Sequence, residues 1–549
     1  WGLLLLTLVS IGYWLIEYPS YAYRIGNPQP MDIIMGAVVI LLSLEAARRV
    51  VGWVLPLLAV IGLLYAYLGP YVPGVLGHFG FGVQRIVEYT AVGMGGIYGI
   101  VTNTYATFIF PFIVFASFLQ AAGGGVAIEE ISSALAGGTR GGPAKVAVVS
   151  SGFIGSVTGS SAANAVVTGS YTIPLMIKTG YKPKTAAAIE AAASTGGQFM
   201  PPIMGAAAFL IASFTETPYL QIIKISAFPA LLYFLGVGMM VHFVAAREGL
   251  KGLPREMLPK LKETLIKRGY MLLPIIMILA VLIAGYSAQI AAVVAIVFTI
   301  GLSYIRKDTR MGPKKIVAGL IQGAKNSLAV GATAGVIGII MAIVTMTGLG
   351  IKFSSVVISL SGGFLPITVL LVAVAGYLLG MGVTITATYI LLSVLAVPAL
   401  MELGVPLITA HLVAFWFCET GGVTPPVALV AFAASSIAMC IPYKSGVEAV
   451  RLASPLFVIP MLFIYTPILM DGPIPNVIET MVSCMVGMIA YAGMMQGYWI
   501  KRVSWLERLL LGVAAFCLFV PHIYSDLGGV ILLVLLSLFN QRKKDLQGI

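Results

Sequence analysis

Ser156, Thr158, Ser160, Ser161 and Asn164 crowd a glycine-rich tip, and Ser194, Thr195, Gly196 and Gly197 run up to Pro201 and Pro202. Both clusters lie in residues 155–202, GSVTGSSAANAVVTGSYTIPLMIKTGYKPKTAAAIEAAASTGGQFMPP, a run apolar enough for a bilayer but too interrupted to cross it as one helix. Backbone freed at membrane depth is tolerated only where protein buries it or where it lines a cavity, so two breaks close together mark a site. Their chemistry is that of oxygen. Carbonyls released from a helix, joined by hydroxyl and amide oxygens, suit a hard monovalent cation such as Na⁺, and the carbonyl ends of helices add a favourable field.

A second copy follows. Residues 380–386, GMGVTIT, place Gly382, Thr384 and Thr386 at a similar tip, and residues 419–426, ETGGVTPP, repeat the TGG…PP break with Glu419, Thr420, Gly421 and Thr424. Pro174 and Gly180 follow the first tip at the spacing that Pro398 and Gly404 keep after the second. Paired Gly/Pro-interrupted apolar segments point to the binding site of a secondary transporter. Close packing through small residues accounts for single small-xxx-small patterns, not for this order of features twice.

One cation site is therefore expected where Ser160, Ser161 and Asn164 meet Gly196 and Gly197. A second is expected where Thr384 and Thr386 meet Thr420, Gly421 and Thr424. Ser156, Thr158, Thr195 and Gly382 are further substrate or coupling candidates. Glu190 and Glu419 are ionisable groups in apolar segments, and such groups are functional candidates. They could hold a cation, relay a proton or cap nearby backbone donors. His411 reads as hydrogen-bonded structure, and no histidine or cysteine has metal-ligand spacing.

The elements that position these residues follow from composition and charge. The chain has 549 residues, 59% of them hydrophobic and 9% charged, against roughly 25% charged in soluble proteins, and its mean hydropathy is +1.01. This is an all-α polytopic membrane protein. Cys418, Cys440, Cys484 and Cys517 lie in or beside apolar segments without a CxxC pair and read as buried thiols. No GxxxxGK phosphate loop occurs.

With the N-terminus inside, one threading places nearly every basic cluster on the cytoplasmic face. Segments 2–16, 33–47 and 51–68 cross with Arg48 and Arg49 inside. Residues 69–95 are then external and include a surface-lying helix, and 97–121 return to Arg140 and Lys145. Residues 143–155 span ~20 Å as a helix, short of the ~30 Å hydrocarbon core. The chain therefore turns back through 161–177 to Lys178, Lys182 and Lys184, a re-entrant hairpin (about 143–177) open to the cytoplasm. A broken helix, 185–213, crosses outward and 219–244 returns, and basic residues between 247 and 268 and between 306 and 315 flank the pair 270–285 and 289–305. A long helix, about 317–347, leads out to a second hairpin, about 365–400, whose flanks lack Lys and Arg apart from Lys352 upstream. That hairpin opens outside, so the copies form an inverted-topology repeat. The second broken helix, 408–434, returns to Lys444 and Arg451. Segments 452–470, 480–499, 505–520 and 524–540 complete the chain, with Lys501, Arg502, Arg542, Lys543 and Lys544 inside. The net charge of +12 is thus a topology signal, and nucleic acid is not an expected partner.

Three stretches resemble the tripartite ATP-independent periplasmic (TRAP) transporters, in particular the fused membrane subunit of the TAXI type. They are RGGPAKVAVVSSGFIGSVTGSSAANAVVTGSYTIPLM (140–176), GYKPKTAAAIEAAASTGGQFMPPIMGAAAF (180–209) and TPPVALVAFAASSIA (424–438). Residues 45–69 are similar to the small membrane domain fused at the N-terminus. The resemblance implies small-subunit-like scaffold helices and an external linker in 1–95, a transport and scaffold domain in 96–470, and extra transmembrane helices in 471–549. It implies an elevator-type fold of the ion-transporter superfamily, in a bacterial or archaeal inner membrane with both termini cytoplasmic. The implied function is Na⁺-coupled import of a small organic anion, often a carboxylate, delivered by an extracytoplasmic TAXI-type substrate-binding protein. Val383 departs from the pattern, standing where proline is frequent.

Two alternatives remain at this stage. A stand-alone ion-coupled anion transporter would need no binding protein, and the external stretch 69–95 argues against it. An intramembrane enzyme would need Ser160 or Ser161 within reach of His411, and nothing in the sequence places them so. An aspartyl pair is excluded because Asp32, Asp308, Asp471, Asp526 and Asp545 fall at segment ends or in loops. No catalytic residue is assigned.

Overall fold

A chain in hydrocarbon must satisfy its backbone polar groups within each segment, and the Leu-, Ile-, Val- and Ala-rich runs do so as helices. The computed structural model describes residues 1–21, 23, 24 and 26–542; Lys543, Lys544 and Asp545 lie outside the described residues. Among the described residues all regular structure is helical apart from one β-bridge, Tyr498 with Arg502. Among the described residues ten helical spans are long and apolar enough to cross a membrane. The protein is a multi-pass membrane protein.

The chain divides into two compact units. The first comprises Trp1–Val114, Phe209–Thr217 and Ala318–Cys418. Its helix Pro30–Val51 starts at a capping box in which Gln29 N–H donates to Asp32 Oδ2 (2.8 Å), and the Tyr13 hydroxyl donates to Asp32 Oδ1 (2.5 Å). Within 69–95 the expected helix follows a pair of turns. Pro70 and Pro73 and a series of glycines break the stretch into turns at Gly69–Tyr71 and Gly74–Leu76, followed by the short helix Val83–Val87 and a π turn at Glu88–Val92. The long helix Pro313–Thr347 enters this unit and lies so close to residue 96 that a Cβ on Gly338 would meet the Gly96 carbonyl oxygen at 2.5 Å. One helix of this unit went unread in the sequence: Leu349–Ser361, set off by Gly348 (φ 66°) and Gly362 (φ 61°). It packs on the second hairpin, Leu365–Leu379 and Ile385–Glu402, where Ser354 donates to the Leu395 carbonyl (3.3 Å).

The second unit comprises Phe115–Ala208, Pro218–Val317 and Glu419–Ile549. It holds the first hairpin, Gly142–Thr158 and Ser161–Lys178, the first half of the first broken helix, Pro183–Gly196, and the resumed half of the second, Leu429–Ala438, packed together. The helix Tyr219–Glu248 packs along Ile474–Gln496, and the helices Trp505–Phe519 and Ile523–Arg542 follow. Leu511, Ala514, Leu518, Leu533 and Leu536 form a core among the last three of these.

Three arginines close the C-terminal end of Ile474–Gln496. Arg451 Nε donates to the Met495 carbonyl (2.8 Å), Arg508 Nε to the Met494 carbonyl (2.5 Å) and Arg247 Nη1 to the Gln496 carbonyl (3.0 Å). The last carbonyls of a helix have no intrahelical donor, and cations also complement the dipole there. We predict that Arg451→Met lowers the stability of the detergent-solubilised protein by roughly 1–3 kcal/mol. Thermal unfolding read by circular dichroism checks this; an unchanged midpoint would mean that the other two arginines suffice.

Candidate functional site

The first hairpin and the first broken helix both end carbonyl-first at the same place. Gly142–Thr158 stops at Gly159 (φ 63°), and Pro183–Gly196 stops at Gly197. The two ends touch through glycine: a Cβ on Gly155 would stand 2.5 Å from the Gly197 Cα, and a Cβ on Gly197 would stand 2.5 Å from the Gly155 Cα. No other residue type permits that approach. A Cβ on Gly196 would collide with the ring of Tyr233, whose hydroxyl donates to the Ala192 carbonyl (2.7 Å). The chain between the two halves of the broken helix folds back so that Gly205 N–H donates to the Gln198 carbonyl (2.8 Å), and helix resumes at Ala206–Phe214.

Asn164 joins the two ends. Its Nδ2 donates to the Ser151 carbonyl (3.0 Å) and reaches the Ser194 carbonyl (3.5 Å), while Oδ1 is buried with no hydrogen-bond partner among the described residues. Thr158 Oγ1, at the end of the hairpin's first helix, is likewise buried without a partner. Ser161 is buried at the start of the hairpin's second helix, and Ser160 caps that helix by accepting from Ala163 N–H (3.4 Å). Ser156 and Thr195 donate to carbonyls of their own helices, those of Phe153 (2.8 Å) and Ala191 (2.9 Å).

Gln198 links this cluster to the second break. Its amide oxygen accepts from Ser161 N–H (3.2 Å) and the Ser161 hydroxyl (2.9 Å), and its nitrogen donates to Glu419 Oε1 (3.1 Å), the orientation that sets no donor against a donor. Glu419 Oε2 and Thr424 Oγ1 are buried with no hydrogen-bond partner among the described residues. The second break runs from the end of Leu407–Val423 to Ala428, which takes a left-handed conformation (φ 40°) before Leu429–Ala438 begins. The bonds Pro201–Pro202 and Pro425–Pro426 are both cis.

Glu190 is fully buried in the middle of Pro183–Gly196. It accepts hydrogen bonds from Ser151 (3.0 Å), Ser194 (3.0 Å), Thr168 and Thr172. Four hydroxyls from three helices thus take the place of a cationic partner, so the carboxylate ties both limbs of the hairpin to the broken helix. A buried carboxylate is sustained only by such saturation. Ser151, Thr168, Thr172 and Gln198 escaped the sequence reading, which named Ser194 only as part of the first break. The available signal was the four-residue spacing of Asn164, Thr168 and Thr172 and of Glu190 and Ser194, polar stripes on otherwise apolar helices.

The remaining candidates are divided between the units. Gly382 (φ 79°), Thr384 and Thr386 sit at the second tip in the first unit, where Thr384 Oγ1 is buried with no hydrogen-bond partner among the described residues. Thr420 and Gly421 are buried in the second unit. His411, in the first unit, shares a hydrogen bond with the Tyr389 hydroxyl (2.8 Å) and stacks on Phe214, the structural role expected of it. Cys418 and Cys484 are buried as anticipated, whereas Cys440 and Cys517 are half-exposed.

The glycine contact gives a sharp expectation. Gly197→Ala forces backbone away from backbone and lowers stability by about 1–3 kcal/mol, whereas Gly125→Ala, in a helix where nothing lies within 4 Å, does not. Thermal midpoints of the two variants in the same detergent provide the comparison, and equal midpoints would contradict the close approach.

A family model described as "Tripartite ATP-independent periplasmic transporter, DctM component" matches residues 38–469. A "Domain of unknown function (DUF3394)" matches residues 477–527, within the last helices. No curated protein matches the chain. The first match takes in both hairpins, both breaks and every residue of the glycine-centred cluster, and on it the chain belongs to the tripartite ATP-independent periplasmic transporter family as a DctM component.

Proposed function

We propose that this TRAP-type secondary transporter is a sodium-coupled importer of a small organic anion, a carboxylate, delivered by an extracytoplasmic TAXI-type substrate-binding protein and carried across the inner membrane by an elevator movement. The observation that carries this reading is the set of buried, unpartnered oxygens at the tips and the second break: Thr158 Oγ1, Asn164 Oδ1, Thr384 Oγ1 and Thr424 Oγ1. Each such atom costs roughly 1–3 kcal/mol if left unmet. A hard cation offsets that cost, and neutral oxygens beside helix carbonyl ends are its preferred surroundings.

The donor set fits Na⁺. At the first site Thr158, Asn164 and the carbonyls that end Gly142–Thr158 and Pro183–Gly196 would hold it, with Ser160, Ser161, Gly196 and Gly197 around them. Thr420, Gly421 and Thr424 at the second break, and separately Thr384 and Thr386 at the second tip, are the counterparts. The bound ion supplies positive charge next to an anionic solute and couples the solute to the sodium gradient. The residues themselves keep tip and break together through the Gly155–Gly197 contact and the Glu190 hydroxyl cluster, which favours moving them as one body over opening the tip alone. The external stretch 69–95, with Tyr71 and Phe79 exposed, supports docking of a soluble partner.

A second reading has a specific observation behind it. Glu419 carries an unpartnered buried oxygen, and among the described residues no Lys or Arg pairs with it, so a proton there could serve as the coupling ion. Uptake into proteoliposomes separates the two. With binding protein and carboxylate solute present, uptake is expected to require an inward Na⁺ gradient, and Asn164→Ala and Thr384→Val are each expected to raise the Na⁺ needed for half-maximal uptake roughly tenfold, the equivalent of one lost interaction of about 1.4 kcal/mol. Uptake driven by a pH gradient with no Na⁺ dependence would favour Glu419. Orientation has its own check: cysteines at Lys182→Cys and Leu403→Cys are expected to react with impermeant thiol reagents from opposite faces, and labelling of both from one face would remove the inverted repeat.

A further inference from the structure

The second unit contains a cavity of about 340 Å³ far along its helices from the glycine cluster, at the basic ends that the positive-inside pattern places in the cytoplasm. That volume lies at the lower end of the range for small-molecule sites. Five cationic side chains and two carboxylates line it. Each carboxylate has a cation beside it: Glu448 Oε1 accepts from Thr185 (2.8 Å) while its Oε2, which makes no hydrogen bond among the described residues, lies 3.6 Å from Lys184 Nζ, and Glu248 pairs with Arg247 (3.7 Å). Among the described residues no carboxylate pairs with Lys182, Lys444 or Arg451.

The position of the lysines deepens the excess of charge. Lys182 is the N-cap of Pro183–Gly196 and Lys184 lies in its first turn, while Lys444 lies in the first turn of Pro442–Leu452. Helix N-termini present unpaired N–H groups and a positive dipole end, which favour anions and disfavour lysine. Arg247, which also pairs with Glu248, and Arg451 are fixed against the carbonyls of Gln496 and Met495, and for Arg451 that neutral partner leaves its charge in the cavity wall. A further polar group in the lining has no partner: Gln496 is only 3% exposed, and its Nε2 is buried with no hydrogen-bond partner among the described residues.

We propose that this cavity is a binding site for a phosphate group, carried by free phosphate or by an anionic lipid headgroup, held by Lys182, Lys444, Arg451 and the Gln496 amide. Three unneutralised cations call for a multiply charged anion, and lysine binds phosphate as a point charge. The cavity draws its walls from the broken helix that carries the ion-site glycines and from the helices Tyr219–Glu248 and Ile474–Gln496, so an anion bound there braces the first against the other two. The site needs neither Na⁺ nor the transported solute, and its fate is separate from that of the transport reading.

The test uses purified full-length protein in a phosphate-free maltoside detergent, at constant ionic strength set with potassium chloride. Potassium phosphate, short-chain phosphatidylglycerol and potassium succinate are titrated in turn, and thermal unfolding is recorded, since a ligand of the folded state raises the midpoint by mass action. Phosphate or phosphatidylglycerol is expected to raise the midpoint saturably. A response to phosphatidylglycerol alone identifies the source as lipid, and a response to both as the free anion as well. The pair Lys182→Gln with Lys444→Gln is expected to weaken the apparent affinity roughly tenfold or more, and the pair Lys182→Arg with Lys444→Arg to retain it. The proposal is overturned by the absence of a saturable shift with either phosphate probe, by an equal shift in the glutamine pair, or by succinate acting as well as phosphate. If the glutamine pair fails to fold, Gln496→Leu replaces it under the same criterion.

Discussion

Two helices that end carbonyl-first against each other, with only glycine between them, impose the constraint on which the rest of the site depends. At Gly155 and Gly197 the negative ends of Gly142–Thr158 and Pro183–Gly196 are brought within backbone contact. Like dipole ends repel, and in a low-dielectric interior they do so without much screening. Something positive has to stand nearby. Asn164 supplies part of it through its amide N–H groups, and its other face carries the unpartnered Oδ1 on which the proposed cation site rests.

Glu190 explains why the junction holds its shape. A carboxylate without a cationic partner is costly at this depth, yet the four hydroxyl donors come from both limbs of the hairpin and from the broken helix itself. Separating the tip from the break would strip hydrogen bonds from a buried charge, a penalty larger than the bonds are worth when made. The same reasoning accounts for the Gln198 bridge from Ser161 to Glu419, which carries the connection from the first repeat to the second break. These ties hold tip and break together as one piece, which the proposed elevator movement requires.

The breaks were legible in the sequence because Gly and Pro alter the backbone locally: the tips, the TGG…PP runs and the hairpin helices lie where their residues demand. What holds the breaks together was not, since Ser151, Thr168, Thr172 and Ser194 meet Glu190 only after three helices pack. Leu349–Ser361 was hidden by its serines and Lys352, which read as a polar flank, although Gly348 and Gly362 bracket it. In 69–95 Pro70 and Pro73 shape the turns at the start and leave the expected helix to the part after Gly82. Arg247 and Arg451 were read as topology signals alone, and the structure adds a second task, closing the carbonyl end of Ile474–Gln496 together with Arg508.

The glycine junction is proposed to hold a sodium ion. Equilibrium binding of ²²Na⁺ to the purified protein, without solute or binding protein, tests it most directly. Saturable binding that Asn164→Asp alters and Asn164→Leu abolishes at the first site is the predicted result. Binding that is absent in the wild-type protein, or that is identical in the Asn164→Leu variant, would contradict it.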